Sequence, residues 1–328
     1  MSAMTETVPR RRLVTSTEVL VAGLVVCALA GTWMRDGVAG NPQLATAGTV
    51  FAGVFLQAVP FLGLGVVISG LIAAYVSPER LARWLPTNAP AAVLAAGVAG
   101  AALPGCECGS VPVARRLFGD GTVGAAALTF MLSAPAINPV VLVATSVAFP
   151  GQPQMVLARC VASLGTAVVM GVLWSRWGRP GWVTRTPPRA SSSDQSRWTV
   201  FTEAARHDFL QAAAYLVIGA AAAATLRVVV PPWVFEHVAG NLVIGVVSMA
   251  LLAFVLALCS EADAFVAASL TMVPLIPRLV FLVVGPVVDI KLVAMQAGLF
   301  GRGFALRFAP VTLVVATVLA TAVGLVLL

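Results

Sequence analysis

Histidine occurs only twice in 328 residues, at His207 and His237, and charged side chains make up only 10% of the chain. Two histidines exclude a histidine-built metal centre and a histidine-based catalytic triad. No G-x-x-x-x-G-K-[ST] run is present, which excludes the common phosphate loop. No nucleotide and no cofactor is therefore expected. Soluble domains carry about 25% charged residues; here 59% of the residues are hydrophobic and the mean hydropathy is +0.97. Such a chain is an all-α integral membrane protein of the cell membrane, crossing it many times.

The net charge of +7 raises nucleic acid as a partner, but its distribution argues otherwise. The arginines gather at Arg10, Arg11 and Arg12 and again at Arg176, Arg179, Arg185, Arg189, Arg197 and Arg206. Cytoplasmic flanks of membrane helices carry such clusters, so membrane lipid is the expected partner and nucleic acid is not. The start "MSAMTETVPRRR" and the apolar run after it lack a small-residue cleavage site, which makes an uncleaved first helix the expectation.

Residues 175–206, rich in Pro, Ser and Arg, divide the apolar runs into two halves. The expected organisation is 1–42 with a first helix, a membrane repeat over 43–175, a basic cytoplasmic linker over 176–206, and a second repeat over 207–328. "FLQA" occurs at 55–58 and 209–212, and "FMLSAPAINPVVLVA" lines up with "FLVVGPVVDIKLVAM", pairing Pro135 with Pro286 and Asn138 with Asp289. Arg159 and Arg307 match in the same order. Candidate elements in the first half are 14–34, 43–76, the pair 89–104 and 110–119, 121–149 and 154–175. The pair is too short for two spans and reads as a re-entrant hairpin, leaving three crossings in the repeat. An odd number inverts the second copy, which runs through 207–227, a hairpin around Cys259, 281–300 and 308–328. About 8–10 membrane segments result, with broken or re-entrant helices in both halves.

Each half interrupts its apolar pattern at a corresponding place, which points to a binding site near mid-membrane. In "LPGCECGSVPVARRL" the residues Pro104, Gly105, Gly109 and Pro112 oppose a regular helix. An extended backbone puts Cys106 and Cys108 on one side and turns Glu107 away. Two converging sulfurs suit soft species such as Cu(I), Zn(II) or trivalent arsenic, making these cysteines a transient metal transport site; Cys27 and Cys160 read as packing residues. In "LALCSEADAFVAASL" a helix would place Cys259 and Asp263 on one face, with Glu261 pointing elsewhere. Asp289 and Lys291 can neutralise each other or meet substrate. Asn138, between Pro135 and Pro139, either binds substrate or caps a broken helix, and Pro286 marks the corresponding break.

"GCECGSVPVARRL", "LSAPAINPVVLVAT" and "CSEADAFVAASL" together resemble the predicted permease family that includes ArsP-type organoarsenical efflux permeases and related copper/zinc efflux permeases, over about residue 43 to the end. The resemblance implies a polytopic permease, not an enzyme, that exports a soft metal or metalloid species. It puts Cys106 and Cys108 in the family's cysteine position and Ser260, Glu261 and Asp263 in its second acidic motif. On this reading Cys259 or the acidic groups complete the site, Ser260 is a further substrate-binding candidate, and Glu261 or Asp263 takes part in proton coupling. The alternatives are one membrane subunit of a two-protein permease, with a second membrane or soluble subunit as partner, and a membrane thiol-disulfide carrier.

Overall fold

In lipid every backbone polar group must find its partner within the protein, and a helix achieves this locally. The computed structural model describes residues 42–75, 86, 88–102, 107–119, 121–183, 196–229 and 241–328, and every regular element among them is helical. Cys27, Pro104, Gly105 and Cys106 lie outside the described residues.

Two long helices, α1 (Pro42–Tyr75) and α7 (Arg197–Val229), pack along each other in opposite directions. The Arg197 guanidinium lies 5.5 Å over the Tyr75 ring, so the end of α1 meets the start of α7. The latter begins in what reads as the linker: residues 197–206 are its first turns.

After α1 the chain forms a hairpin, α2 (Ala89–Ala99) with a 3-10 turn at Gly100–Ala102, then α3 (Glu107–Leu117). Its course is read against α4 (Thr122–Ile137). Gly97 lies beside Thr129 and Gly100 beside Ser133, whereas Ser110 meets Met131 and Phe118 meets Gly124. The first arm thus advances to the middle of α4, and the second leads back to the end it came from. The extended backbone expected through "GCECG" is replaced by helix from Glu107 onward, with Gly109 and Pro112 inside it rather than breaking it. Pro112 forfeits one bond, to the Cys108 carbonyl. Gly109 serves a different purpose: a Cβ on Gly65 of α1 would overlap its backbone, so the two helices touch through bare main chain.

The chain continues through α5 (Pro139–Ala148) and α6 (Pro153–Trp177). Helices α4 and α5 are one apolar run broken at Asn138, whose backbone is extended. Pro135 stays inside α4 and Pro139 opens α5, where a missing N–H costs nothing. Pro135 cannot donate to the Met131 carbonyl, and Ser110 Oγ approaches that oxygen at 3.1 Å instead.

The second half begins, after α7, with α8 (Leu242–Leu256) and α9 (Ala262–Ser269). Ala257, with φ of 47°, ends α8, and 257–261 form a non-helical tip. Asp263 lies beside Gly285, while Thr271 and Val273 receive the Arg278 side chain, so α9 returns toward the start of α10 (Leu275–Val287). A break at Val288 and Asp289 follows, with Pro286 inside α10, then α11 (Ile290–Leu299) and α12 (Arg302–Leu327).

Among the described residues, five helical runs are long and apolar enough to cross a membrane: Leu44–Tyr75, Thr122–Ala148, Pro153–Trp177, Leu275–Leu299 and Arg302–Leu327. Their shared core includes Leu128, Met131, Leu132, Phe281 and Leu282, while Val314, Val318 and Val326 on α12 face outward. Trp174 of α6 packs edge-on against Phe118, Trp182, Phe304 and Phe308, so α6 ends where α12 begins.

Candidate functional site

Apolar helices bury charge only where it is paired, because an unpaired ion inside the membrane is costly. The centre of this chain nevertheless collects four carboxylates, Glu107, Glu261, Asp263 and Asp289, and two cations, Arg159 and Lys291. They arrive from the tips of both hairpins and from the breaks and flanks of the long runs.

Lys291, on the first turn of α11, sends its ammonium to Glu107 Oε1 at 2.5 Å. The same Nζ stands 3.6 Å from Asp289 Oδ2 and 3.4 Å from the Ala257 carbonyl, so it touches both hairpins. Close backing comes from α7, where a Cβ on Gly219 would lie 2.7 Å from the Lys291 Cα. Asp289 caps α11, its Oδ1 accepting from the Leu292 N–H at 2.5 Å. Asn138 caps α5 in the same manner, accepting from Val141 N–H at 3.0 Å while its Nδ2 donates to the Ala134 carbonyl at 3.0 Å. The capping role read for Asn138 is present.

Arg159, fully buried on α6, holds the second tip. Its Nη1 donates to Thr145 Oγ1 at 2.7 Å, and its Nη2 reaches the Ser260 carbonyl at 3.0 Å and both Asp263 oxygens at 2.9 and 3.1 Å. Cys259 lies just ahead of α9, its carbonyl accepting from the Ala262 and Asp263 N–H groups at 2.9 and 3.0 Å, and its thiol and the Asp263 carboxylate go to different partners rather than to one shared site. Cys259 instead donates to Glu261 Oε2 at 2.6 Å, bringing Glu261 back to the thiol it was expected to avoid. Cys108 is buried in the first turn of α3, and Cys160 packs half-buried against the core. Glu107 Oε2, Ser260 Oγ, Glu261 Oε1 and Asp289 Oδ2 have no hydrogen-bond partner among the described residues. Among those same residues, no group of three or more His, Cys, Asp or Glu side chains is arranged to hold a metal ion.

A second polar network lies toward the end of the molecule that carries the α6–α7 connection. Asp208 of α7 accepts from Ser69 at 2.6 Å and from Arg116 at 2.8 and 3.0 Å. Arg115 donates to Gln211 at 2.8 Å, and Gln211 donates to the Gly298 carbonyl at 3.0 Å. This network ties the returning arm of the first hairpin to α1, α7 and α11.

The family model described as "Predicted permease" matches residues 43–326. The chain belongs to that family. A Bacillus subtilis relative, the UPF0718 protein YcgR, is 36% identical over 279 residues, covering 83% of this chain and 94% of the relative. A Streptococcus mutans relative, named as a subunit of a two-component membrane permease complex, is 32% identical over 266 residues, covering 79% and 88%. No solved structure is significantly similar to it. With its several apolar runs, this member of the permease family is a multi-pass protein of the cell membrane.

Four of the expected site residues meet as two pairs: Cys259 touches Glu261, and Asp289 touches Lys291. Ser260 and Asp263 converge instead on Arg159. The sequence reading turns Glu107 away from the site, uses Arg159 only as a marker of the repeat, and passes over Asp208. A charged residue within an apolar run was the available signal for each, but their partners stand 92 to 184 positions away.

Proposed function

We propose that this permease is a secondary-type carrier whose cargo passes through the centre of the chain, between the tips of its two hairpins. One observation carries this reading: the start of α3, the non-helical tip at 257–261 and the helix break at Asp289 converge on buried charges inside the bundle. Irregular backbone at membrane depth is tolerated where it lines a pathway. The two halves read as inverted repeats. Support comes from the twofold order of long helix, hairpin, broken helix and long helix, and from Asn138 and Asp289 capping the second part of each broken run.

The cargo class that fits the tips is a thiophilic cation or metalloid leaving the cell. Cys108 stands at the exit of one tip and Cys259 within the other, and Cys106 completes the set by sequence. Glu261 is the better placed of the acidic pair for proton exchange, because Asp263 is held by Arg159. A second subunit is part of the proposal, following the name of the S. mutans relative. The test is cellular accumulation of copper, zinc, arsenite and methylarsenite in a deletion strain carrying the chain, or its Cys106→Ser, Cys108→Ser and Cys259→Ser variants, at matched expression. Export of one species that fails with Cys106→Ser or Cys108→Ser is expected. Full export by a Cys106→Ser, Cys108→Ser double variant excludes capture by that pair of thiols.

A further inference from the structure

Two carboxylates and one ammonium, all buried, meet where α3, α11 and the second hairpin tip come together. Glu107 Oε1 and Asp289 Oδ2 stand 2.5 and 3.6 Å from Lys291 Nζ, and the Ala257 carbonyl lies 3.4 Å away. The formal charge of Glu107, Asp289 and Lys291 sums to one negative, while Arg159 and Asp263 neutralise each other nearby and Glu261 adds a further carboxylate. Glu107 Oε2 and Asp289 Oδ2 accept no hydrogen bond among the described residues, although Glu107 and Asp289 are fully buried. Oxygen acceptors around one positive charge, carboxylate and carbonyl together, are the ligand type of hard cations rather than soft ones.

The geometry points to a binding site for a small monovalent cation formed by Glu107, Asp289 and the Ala257 carbonyl, with the Lys291 ammonium as its tethered occupant. An incoming cation and the lysine compete for the same oxygens. Because Glu107 belongs to the first hairpin and Ala257 to the second, the occupant decides how tightly the two tips are held together. The site differs in chemistry from the thiols: it would bind a hard cation, separate from the proton exchanged at Glu261, while the cysteines take the cargo. This assignment rests on the permease reading.

Removing the tether exposes the site. The full chain and its Lys291→Gln variant are purified in detergent, and unfolding is followed at constant ionic strength in sodium, potassium, ammonium or choline chloride. Lys291→Gln should show a saturable rise in Tm of at least about 2 °C in one of the three small cations relative to choline. Adding Glu107→Gln should abolish that rise. A flat response of Lys291→Gln in all three cations, or an unchanged rise in the double variant, overturns the assignment. If Lys291→Gln accumulates poorly, expression with added methylammonium, which supplies a diffusible ammonium, should restore its yield where tetramethylammonium does not; equal yields overturn the assignment too. Failures of the two readings are separable. Cation-dependent stability without any transport leaves the site standing and sinks the permease reading, whereas thiol-dependent export with a flat Tm does the reverse.

Discussion

Replacing Arg159 by Met removes the guanidinium that makes four contacts from two nitrogens and leaves the Asp263 carboxylate, 1% exposed, without its counter-charge. Breaking a buried pair by deleting one partner costs about 3–5 kcal/mol, most of it the burden of the surviving charge. Arg159→Lys keeps the charge but not the fork. One ammonium cannot serve both Thr145 on one side and Asp263 with the Ser260 carbonyl on the other, so the expected loss is about 1–2 kcal/mol. Arg159→Met combined with Asp263→Leu removes both charges, and most of the single-variant loss should return. Equilibrium unfolding in mixed micelles, run as a double-variant cycle, measures the coupling directly. The order Arg159→Met, then Arg159→Lys, then the double variant, from least to most stable, is the expected result. Additive, mild single-variant effects would refute the claim that these charges meet in a dry interior.

Two other predictions concern packing and orientation. Gly65→Val thrusts a branched side chain into the Gly109 backbone and should cost about 1–3 kcal/mol in the same unfolding assay, while Gly63→Val, with open space beside it, should be near neutral. Trp182 stacks under Arg307, so α12 starts beside the α6–α7 connection, and its 26 residues rise about 39 Å. Reporters fused at Ser192 and after Leu328 should therefore report opposite sides of the membrane; the same compartment for both would break the odd span count.

Much of the fold is legible because prolines and polar residues stand out against so apolar a background. Asn138 is legible as a cap on a broken helix, Pro286 points to the second break although that break falls three residues later at Asp289, and the interruption around Cys259 marks a hairpin tip. The reading of Gly109 and Pro112 as breakers fails for a physical reason. One lost hydrogen bond at Pro112 is a small cost beside the packing that encloses residues 107–115, and Gly109 is selected by the neighbouring helix rather than by its own backbone. Charge pairing is illegible for another reason. Local pattern says which face a residue takes, but Lys291 finds Glu107 across 184 positions only because the first hairpin and the second broken run fold to a common centre.

The aromatic cluster around Trp174 gives the molecule an optical handle. The ring lies 6.1 Å from Trp182 and 5.9 Å from Phe118, which closes the first hairpin, and it stacks edge-on to Phe304 and Phe308 of the last helix. Indoles this close couple their electronic transitions, so near-ultraviolet circular dichroism and tryptophan emission will register any displacement of the hairpin relative to α6. A single-tryptophan-pair version of the chain, retaining Trp174 and Trp182, would let a cycle of opening and closing be timed without an attached dye.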